Sequence, residues 1–253
     1  MNVGVSGATG RMGQRVIETA RNRDDVDVSF AIGTDADAEA GVPVVPPADV
    51  AGAIAEYDPA AIVDFSVPES AASLAEVCAA EGVALVVGTT GLEESHLSVV
   101  QEASGATPVL KATNFSRGIQ ALLRALGPAL EALPGYDLEL LETHHNGKRD
   151  APSGTAKTVL ETVAEHRDFE TVYGREGIQP RQEGEGEVGV LVRRAGNVRG
   201  EHEILLADND EVLTIAHRAE DRAVFAEGAL DAAVWLAGRD PGWYTFGDVI
   251  DDQ

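Results

Sequence analysis

The chain is poor in positive charge. Its 19 Lys and Arg face 43 Asp and Glu, a formal net charge of −24, and only three of the cations are lysines: Lys111, Lys148 and Lys157. Acidity spread this evenly argues against nucleic-acid binding, which needs a basic stripe. It repels itself at low ionic strength and is tolerated where salt screens it, so a salt-loving, halophilic cytoplasm is the expected setting. Cysteine is nearly absent: Cys78 stands alone, which excludes an internal disulfide and fits a reducing compartment. No apolar run approaches the roughly 20 residues that span a bilayer. The start, Met1-Asn2-Val3-Gly4-Val5, has no basic leader and reads directly as a strand, so no signal peptide is expected and the location is expected to be cytoplasmic. Repeats and low-complexity segments are missing too. What remains is ordinary globular composition, 44% hydrophobic, in 253 residues, enough for one large core or two modest ones.

The first half alternates apolar strands with helical patterns. A strand at residues 2–6 leads into Gly7-Ala8-Thr9-Gly10-Arg11-Met12-Gly13, then a helix with Met12, Val16, Ile17 and Ala20 on one face, then a strand from Val26 to Ile32. The glycines stand at G-x-x-G-x-x-G, a variant of the dinucleotide fingerprint, in which backbone N–H groups at a helix N-terminus approach a pyrophosphate. Flanking strand and helix strengthen a motif that is weak on its own. An acid holding a ribose hydroxyl is expected about 20 residues further on. Asp35 is the candidate, although it reads equally well as a solvated turn residue. No Arg or Lys occurs between Asp24 and Lys111, so a 2′-phosphate would depend on Arg11 or on residues distant in sequence. Further apolar strands at 61–65, 83–87 and 109–111 end in small and hydroxyl residues. Repeated strand–helix alternation predicts a parallel sheet covered on both faces, with ligands beyond the carboxyl ends of its strands. Three strand ends fit: Gly7 to Met12, Gly88-Thr89-Thr90, and Ala112-Thr113-Asn114-Phe115.

An amphipathic helix at 118–133 precedes a change of character. Strands are predicted at 136–143, 188–195, 201–207 and 212–219, with a hairpin turn at Asp208-Asn209-Asp210, and the Gly- and Glu-rich residues 174–187 read as a mobile loop. This predicts a second, mixed and largely antiparallel sheet. A last helix at about 222–237 and an apolar tail follow.

Within that second region, Glu139 to Ala156 concentrates the scarce cations. His144, His145, Lys148 and Arg149 fall in one turn, followed by Pro152-Ser153-Gly154-Thr155 at a helix start. Histidine suits proton transfer near neutral pH. A helix N-terminus beside Lys148 suits a carboxylate. Adjacent on a strand end, His144 and His145 point opposite ways, so one faces substrate while the other supports it. No metal is expected, since no acid or Cys stands at a sensible ligand spacing beyond Asp150. A Ser–His hydrolase finds no nucleophile elbow. One of Arg193 and Arg194 is expected to join the anion site. Glu201-His202 reads first as a structural ladder pair and second as a contact that supports the site residues.

The Lys148-Arg149-Asp150-Ala151-Pro152-Ser153-Gly154-Thr155-Ala156 run resembles the signature of the dihydrodipicolinate (4-hydroxy-tetrahydrodipicolinate) reductase family. The likeness extends to Gly7–Gly13, Asp64-Phe65-Ser66, Gly88–Gly91, Asn114-Phe115-Ser116, Arg194-Ala195-Gly196, Gly200-Glu201-His202 and Trp235-Leu236. The resemblance implies an α/β fold: a Rossmann-type parallel-sheet domain (1–114 plus 222–253) that binds the dinucleotide, with an inserted mixed α+β domain (115–221) for substrate and oligomerisation. It implies a lysine and diaminopimelate biosynthesis enzyme reducing a small dicarboxylate with NADH or NADPH, commonly as a homotetramer. By position, His144 is the proton donor and acceptor and Lys148 a second proton donor. His145, Ser153, Gly154 and Thr155 bind the substrate, and Gly7, Ala8, Thr9, Gly10, Arg11, Met12, Gly88, Thr89, Thr90, Ala112, Thr113, Asn114 and Phe115 bind the dinucleotide.

Gly33-Thr34-Asp35 replaces the acid-then-Arg pair of some relatives, which leaves the choice between NADH and NADPH open. Another two-domain reductase, such as an amino-acid dehydrogenase, and a nucleotide-sensing module without catalysis are the competing readings. Neither needs His144 and Lys148 together beside an anion site.

Overall fold

Buried valines and small residues at Asn2–Ser6 form β1, an interior strand of a sheet with no solvent-facing side. The computed structural model describes residues 1–34, 41–181 and 186–252. Two compact units are present, Met1–Ser116 with Arg222–Gln253, and Arg117–Asp221.

In the first unit, β1 is followed by α1 (Arg11–Ala20) and β2 (Asp27–Ile32). Next come β3 (Val44–Val45), α2 (Val50–Tyr57), β4 (Ala61–Asp64), α3 (Pro68–Glu81), β5 (Ala84–Val87), α4 (Glu94–Ala103) and β6 (Pro108–Lys111). The two-residue β3 lies among Pro43, Pro46 and Pro47, and it pairs with β2. Every pairing is parallel, and the order runs β6-β5-β4-β1-β2-β3. The chain therefore turns one way from β1 and the other way from β4. That reversal opens a crevice at the carboxyl ends of these two strands. Apolar side chains on the two faces make two cores, one around Val3, Val5, Val63 and Val86, the other around Phe30, Ile62, Leu85 and Leu74. Cys78 is buried in the second, and burial pushes its thiol up, so it acts as a small apolar group.

The second unit begins with α5 (Arg117–Ala132), whose Leu122, Leu126 and Leu130 enter its core. β7 (Asp137–His144), α6 (Gly154–Ala164), β8 (Glu170–Tyr173), β9 (Glu187–Arg194), β10 (Glu201–Asp208) and β11 (Glu211–Arg218) follow. The sheet order is β11-β10-β7-β9-β8, with β11-β10 and β10-β7 antiparallel and β7-β9 and β9-β8 parallel. The sheet is thus evenly mixed, because β9 returns by a crossover and brings β8 beside it. Asn209 and Asp210, with φ of 49° and 59°, make the two-residue turn between β10 and β11. Positive φ at both central positions matches the twist of the strands they join. The start of the stretch read as a mobile loop is tethered: Arg175 pairs with Glu187, and Arg181 pairs with Asp137 and Glu139. Acids on β7 and β9 supply charge that a composition count assigns to solvent.

The chain then returns to the first unit with α7 (Ala223–Leu236), β12 (Gly242–Tyr244) and α8 (Phe246–Asp251). β12 adds parallel to β6 and completes seven strands. Gly228 lets α7 approach the chain at Phe115, since a Cβ there would meet the Phe115 carbonyl oxygen at 1.9 Å. Among the described residues, no helix is long and apolar enough to cross a membrane.

Candidate active site

In the first unit, β1 hands over to α1 through Gly7, with φ of 80°. The Gly7 and Ala8 amides donate to the Ile32 carbonyl at 3.1 and 3.2 Å, which ties the turn to β2. A Cβ on Gly7 would lie 2.3 Å from the Phe65 carbonyl oxygen, and one on Gly13 would lie 2.2 Å from the Gly7 carbonyl oxygen. Each glycine is a place where two backbones touch. Gly10 caps α1 with no side-chain oxygen, so the first amides of the helix have no internal acceptor. Ser6, Gly7, Thr9, Gly10, Gly33 and Thr34 line a cavity of about 460 Å³ together with Phe65, Ser66 and residues of α3. An unobstructed helix terminus beside a cleft of that size fits a dinucleotide phosphate and one end of its carrier.

Of the described residues, the other sequence-indicated ones in this unit are not among those that line the cleft. Ala8 is fully buried under the turn, while Arg11 is exposed at the start of α1 and Met12 packs against the core. Asp35 lies outside the described residues. Gly88 accommodates the Phe65 ring, which a Cβ would meet at 2.2 Å. Thr89 is buried, and its hydroxyl donates to Asp64 Oδ2 at 2.6 Å, so this side chain anchors the loop while Thr90 is exposed. The chain leaves β6 through Ala112, whose amide donates to the Val87 carbonyl at 3.2 Å, and Thr113 follows it. Asn114 Oδ1 accepts from the Ser116 amide at 2.8 Å. Phe115 packs edge-on against Phe65 and Phe246.

In the second unit, β7 alternates. Leu138 and Leu140 face the core, and period-two spacing puts Glu142 and His144 on that same inner face. Glu142 is fully buried. One carboxylate oxygen accepts from the Ser153 amide at 3.0 Å and from Arg194 Nη2 at 2.9 Å. The other lies 2.9 Å from His144 Nδ1 and 3.9 Å from His202 Nε2, at ion-pair distance but not aligned as hydrogen bonds. Burial alone would push the Glu142 carboxyl up, but contacts with His144, Ser153 and Arg194 outweigh it and hold the group well below the usual carboxylate range. The His202 ring packs edge-on to that of His144, with centroids 5.2 Å apart. Burial first, and repulsion from His144 second, lower the His202 pKa to about 3, so this imidazole is neutral at physiological pH.

Ser153 caps α6, its hydroxyl oxygen accepting from the Ala156 amide at 3.2 Å and lying 3.2 Å from His202 Nε2. Gly154 and Thr155 open the helix, whereas Pro152 precedes the cap instead of occupying the first turn. His145 starts the turn after β7, and its carbonyl accepts from the Lys148 amide at 3.1 Å. Lys148 Nζ sits 2.8 Å from Asp150 Oδ1. Arg194 is the arginine that faces this cluster, while Arg193 donates to Thr143 Oγ1 at 2.9 Å on the other side of the sheet.

Two members escape the first reading of the sequence. His202 belongs to the cluster and not merely to the ladder, through the register that pairs it with Glu142. Glu142 shows one local signal, an acid on the apolar face of its strand. Glu142, His144 and His202 each bring a ligand atom within 4.8 Å of the others, a grouping that spacing around Asp150 does not suggest. Arg194 and the Ser153 amide engage Oε1 of Glu142, while Oε2 faces the two imidazoles.

Family models of dihydrodipicolinate reductase match nearly end to end, the N-terminal one over residues 1–115 and the C-terminal one over residues 118–250. The chain belongs to the dihydrodipicolinate reductase family. Relatives in that family include the 4-hydroxy-tetrahydrodipicolinate reductases of Haloarcula marismortui, 58% identical over 98% of both chains, and of Natronomonas pharaonis, 52% identical over 99% of this chain and 100% of that one. The family's fold is evident in the dipicolinate-bound dihydrodipicolinate reductase of Paenisporosarcina sp. TG-14, which superposes with a TM-score of 0.78 over 97% of each chain at 21% identity.

Proposed function

We propose that the chain reduces 4-hydroxy-tetrahydrodipicolinate to tetrahydrodipicolinate in lysine and diaminopimelate biosynthesis, using NADH or NADPH. The observation that carries this reading is the meeting of His144 with the capped start of α6 around one buried carboxylate, Glu142. Family membership over both units supports it. The first unit serves as the dinucleotide domain, its glycine turn receiving the pyrophosphate through backbone amides. Asp35 is its candidate ribose ligand. When bound, the reduced nicotinamide supplies the hydride. The second unit holds the dicarboxylate with Lys148, His145 and the Ser153-Gly154-Thr155 terminus. His144 and Lys148 supply the proton as water is lost, a service typically worth about 10²–10⁴-fold in rate.

Assembly as a homotetramer through the second sheet is part of the proposal. Its face turned away from α5 and α6 leaves Leu191 and Val212 exposed, 43% and 62%. The absence of a basic stripe and of a spanning helix among the described residues supports a small-molecule enzyme of the cytoplasm.

The test is direct. His144→Gln should lower kcat by about 10²-fold or more with little change in coenzyme affinity. Turnover unchanged from the parent, followed by loss of nicotinamide absorbance with freshly generated substrate, would remove His144 from the role.

A further inference from the structure

His144 can give or take a proton in a defined direction only if its ring is held in one orientation and one tautomer. Its backbone is fixed first: the Ala195 amide donates to the His144 carbonyl at 2.9 Å, where β7 meets β9. The ring is fixed by its surroundings. Nδ1 faces Glu142 Oε2 at 2.9 Å. The opposite edge faces Gly200, where an added Cβ would stand 3.2 Å from Nε2. A hydrogen in place of a side chain at residue 200 thus leaves room at the Nε2 edge.

Glu142 is the one acid at this cluster on the inner face of β7, and two partners besides His144 help to secure its charge. The Ser153 amide and Arg194 hold its Oε1, and Arg194 is itself held by the carbonyls of Asp150 and Arg193 at 2.6 and 2.8 Å. His202, the other titratable group against the carboxylate, is kept neutral by burial and adds no competing positive charge. Lys148 is engaged by Asp150. The carboxylate therefore points a full negative charge at one nitrogen of one catalytic imidazole.

We propose that Glu142 is a positioning residue, whose negative charge keeps the ring proton of His144 on Nδ1 and so presents Nε2 as the nitrogen that exchanges a proton with the substrate. In the forward step the Nε2–H bond breaks as the new bond to the substrate forms. The electron pair stays on Nε2, and the ring is left neutral with its remaining proton on Nδ1 against Glu142. The carboxylate is not itself protonated. It orients the ring and stabilises the imidazolium, the role that a buried acid plays behind a general base. This rests on the reading of His144 as the proton donor.

Glu142→Gln keeps shape and removes charge, and its amide can donate where the carboxylate could only accept. The expected result is a fall in kcat of about 10²-fold with KM for the coenzyme unchanged. In ¹⁵N-labelled protein, the neutral His144 ring should shift from the Nδ1–H towards the Nε2–H form, a signature that loss of packing does not produce. Glu142→Asp keeps the charge but withdraws it, so it should recover part of the activity and retain the Nδ1–H ring. Parent-like kcat in Glu142→Gln, within about three-fold, overturns the proposal, as does lost activity with the tautomer unchanged. Should the Gln variant fail to fold by near-ultraviolet dichroism, Glu142→Asp decides: an Nε2–H ring in a folded Asp variant of parent activity overturns the proposal, and partial activity with the Nδ1–H ring supports it. His144→Gln separates the two levels. If that variant is inactive while Glu142→Gln is not, the positioning role fails alone; if it is fully active, the underlying reading fails.

Discussion

Ser153 Oγ lies 3.2 Å from His202 Nε2, so the hydroxyl that caps α6 also touches a buried imidazole on β10. This couples a helix terminus to a titratable group and gives the second unit a pH dependence. His202 is lowered from 6.5 to about 3, and Glu142 is lowered from 4.5. Both depressed groups bind fewer protons folded than unfolded, so stability is fully present above the unfolded values and falls on acidification. His202 acts from about pH 6.5 downward and Glu142 from about pH 4.5 downward, each by at most about 1.4 kcal/mol per pH unit. Thermal unfolding should show the melting temperature dropping between pH 7 and pH 5 relative to His202→Gln, whose profile should be flatter. Parallel profiles for the two proteins would exclude the assignment to His202.

Lys148 pairs with Asp150 across the turn that precedes α6. Lys148→Ala removes both an acid and an attraction for carboxylate, so kcat should fall and KM for the dicarboxylate should rise together. Asp150→Asn keeps the lysine and removes its partner, so substrate KM should change by less than ten-fold, consistent with the modest worth of a partly exposed pair, about 1 kcal/mol or less. Steady-state kinetics on the two variants checks the split.

Gly13 packs its Cα against the Gly7 carbonyl, and a Cβ would stand 2.2 Å from that oxygen. Gly13→Ala must push α1 off the turn, at a cost of roughly 1–3 kcal/mol. Coenzyme binding, followed by quenching of protein fluorescence, should weaken at least ten-fold, with substrate-site chemistry at saturating coenzyme affected less. Gly52→Ala is the control, since nothing lies within 4 Å of its added carbon.

The net charge of −24 makes a prediction about salt. With a screening length of about 10 Å at 0.1 M and about 3 Å at 1 M, self-repulsion should subside across that range. Activity and melting temperature are expected to rise from 0.1 M to above 1 M KCl. Activity that is highest without added salt would rule out a halophilic adaptation.

Local chemistry made much of this protein legible in advance. Glycines at 7, 10 and 13 between a strand and an amphipathic helix announce a dinucleotide turn, and at 7 and 13 backbone contacts admit no other residue. Asp208-Asn209-Asp210 announces a hairpin, and Pro152-Ser153-Gly154-Thr155 announces a helix start, because caps and turns are short-range hydrogen-bond problems. His144, four residues before Lys148 and five before Arg149 in an acidic chain, stands out by composition alone. Thr89 and Phe115 show the boundary of such reading: in sequence their segments read as ligand-facing, yet their side chains serve the interior, and nothing local distinguishes a threonine that anchors a loop from one that faces solvent.

What only the tertiary structure decided is the environment of His144. The sequence by itself determined which strands exist and which residues share a face of β7. Strand register determined that Glu142 lies opposite His202 and that Arg194 lies opposite His144. Register between strands some 50 residues apart is a collective outcome of packing two helices onto one sheet face, and shifting it by one residue would turn every one of these side chains to the other side. A buried carboxylate with its counter-charges assembled around it therefore appears only once the chain has closed, and it is that carboxylate which gives the histidine its direction.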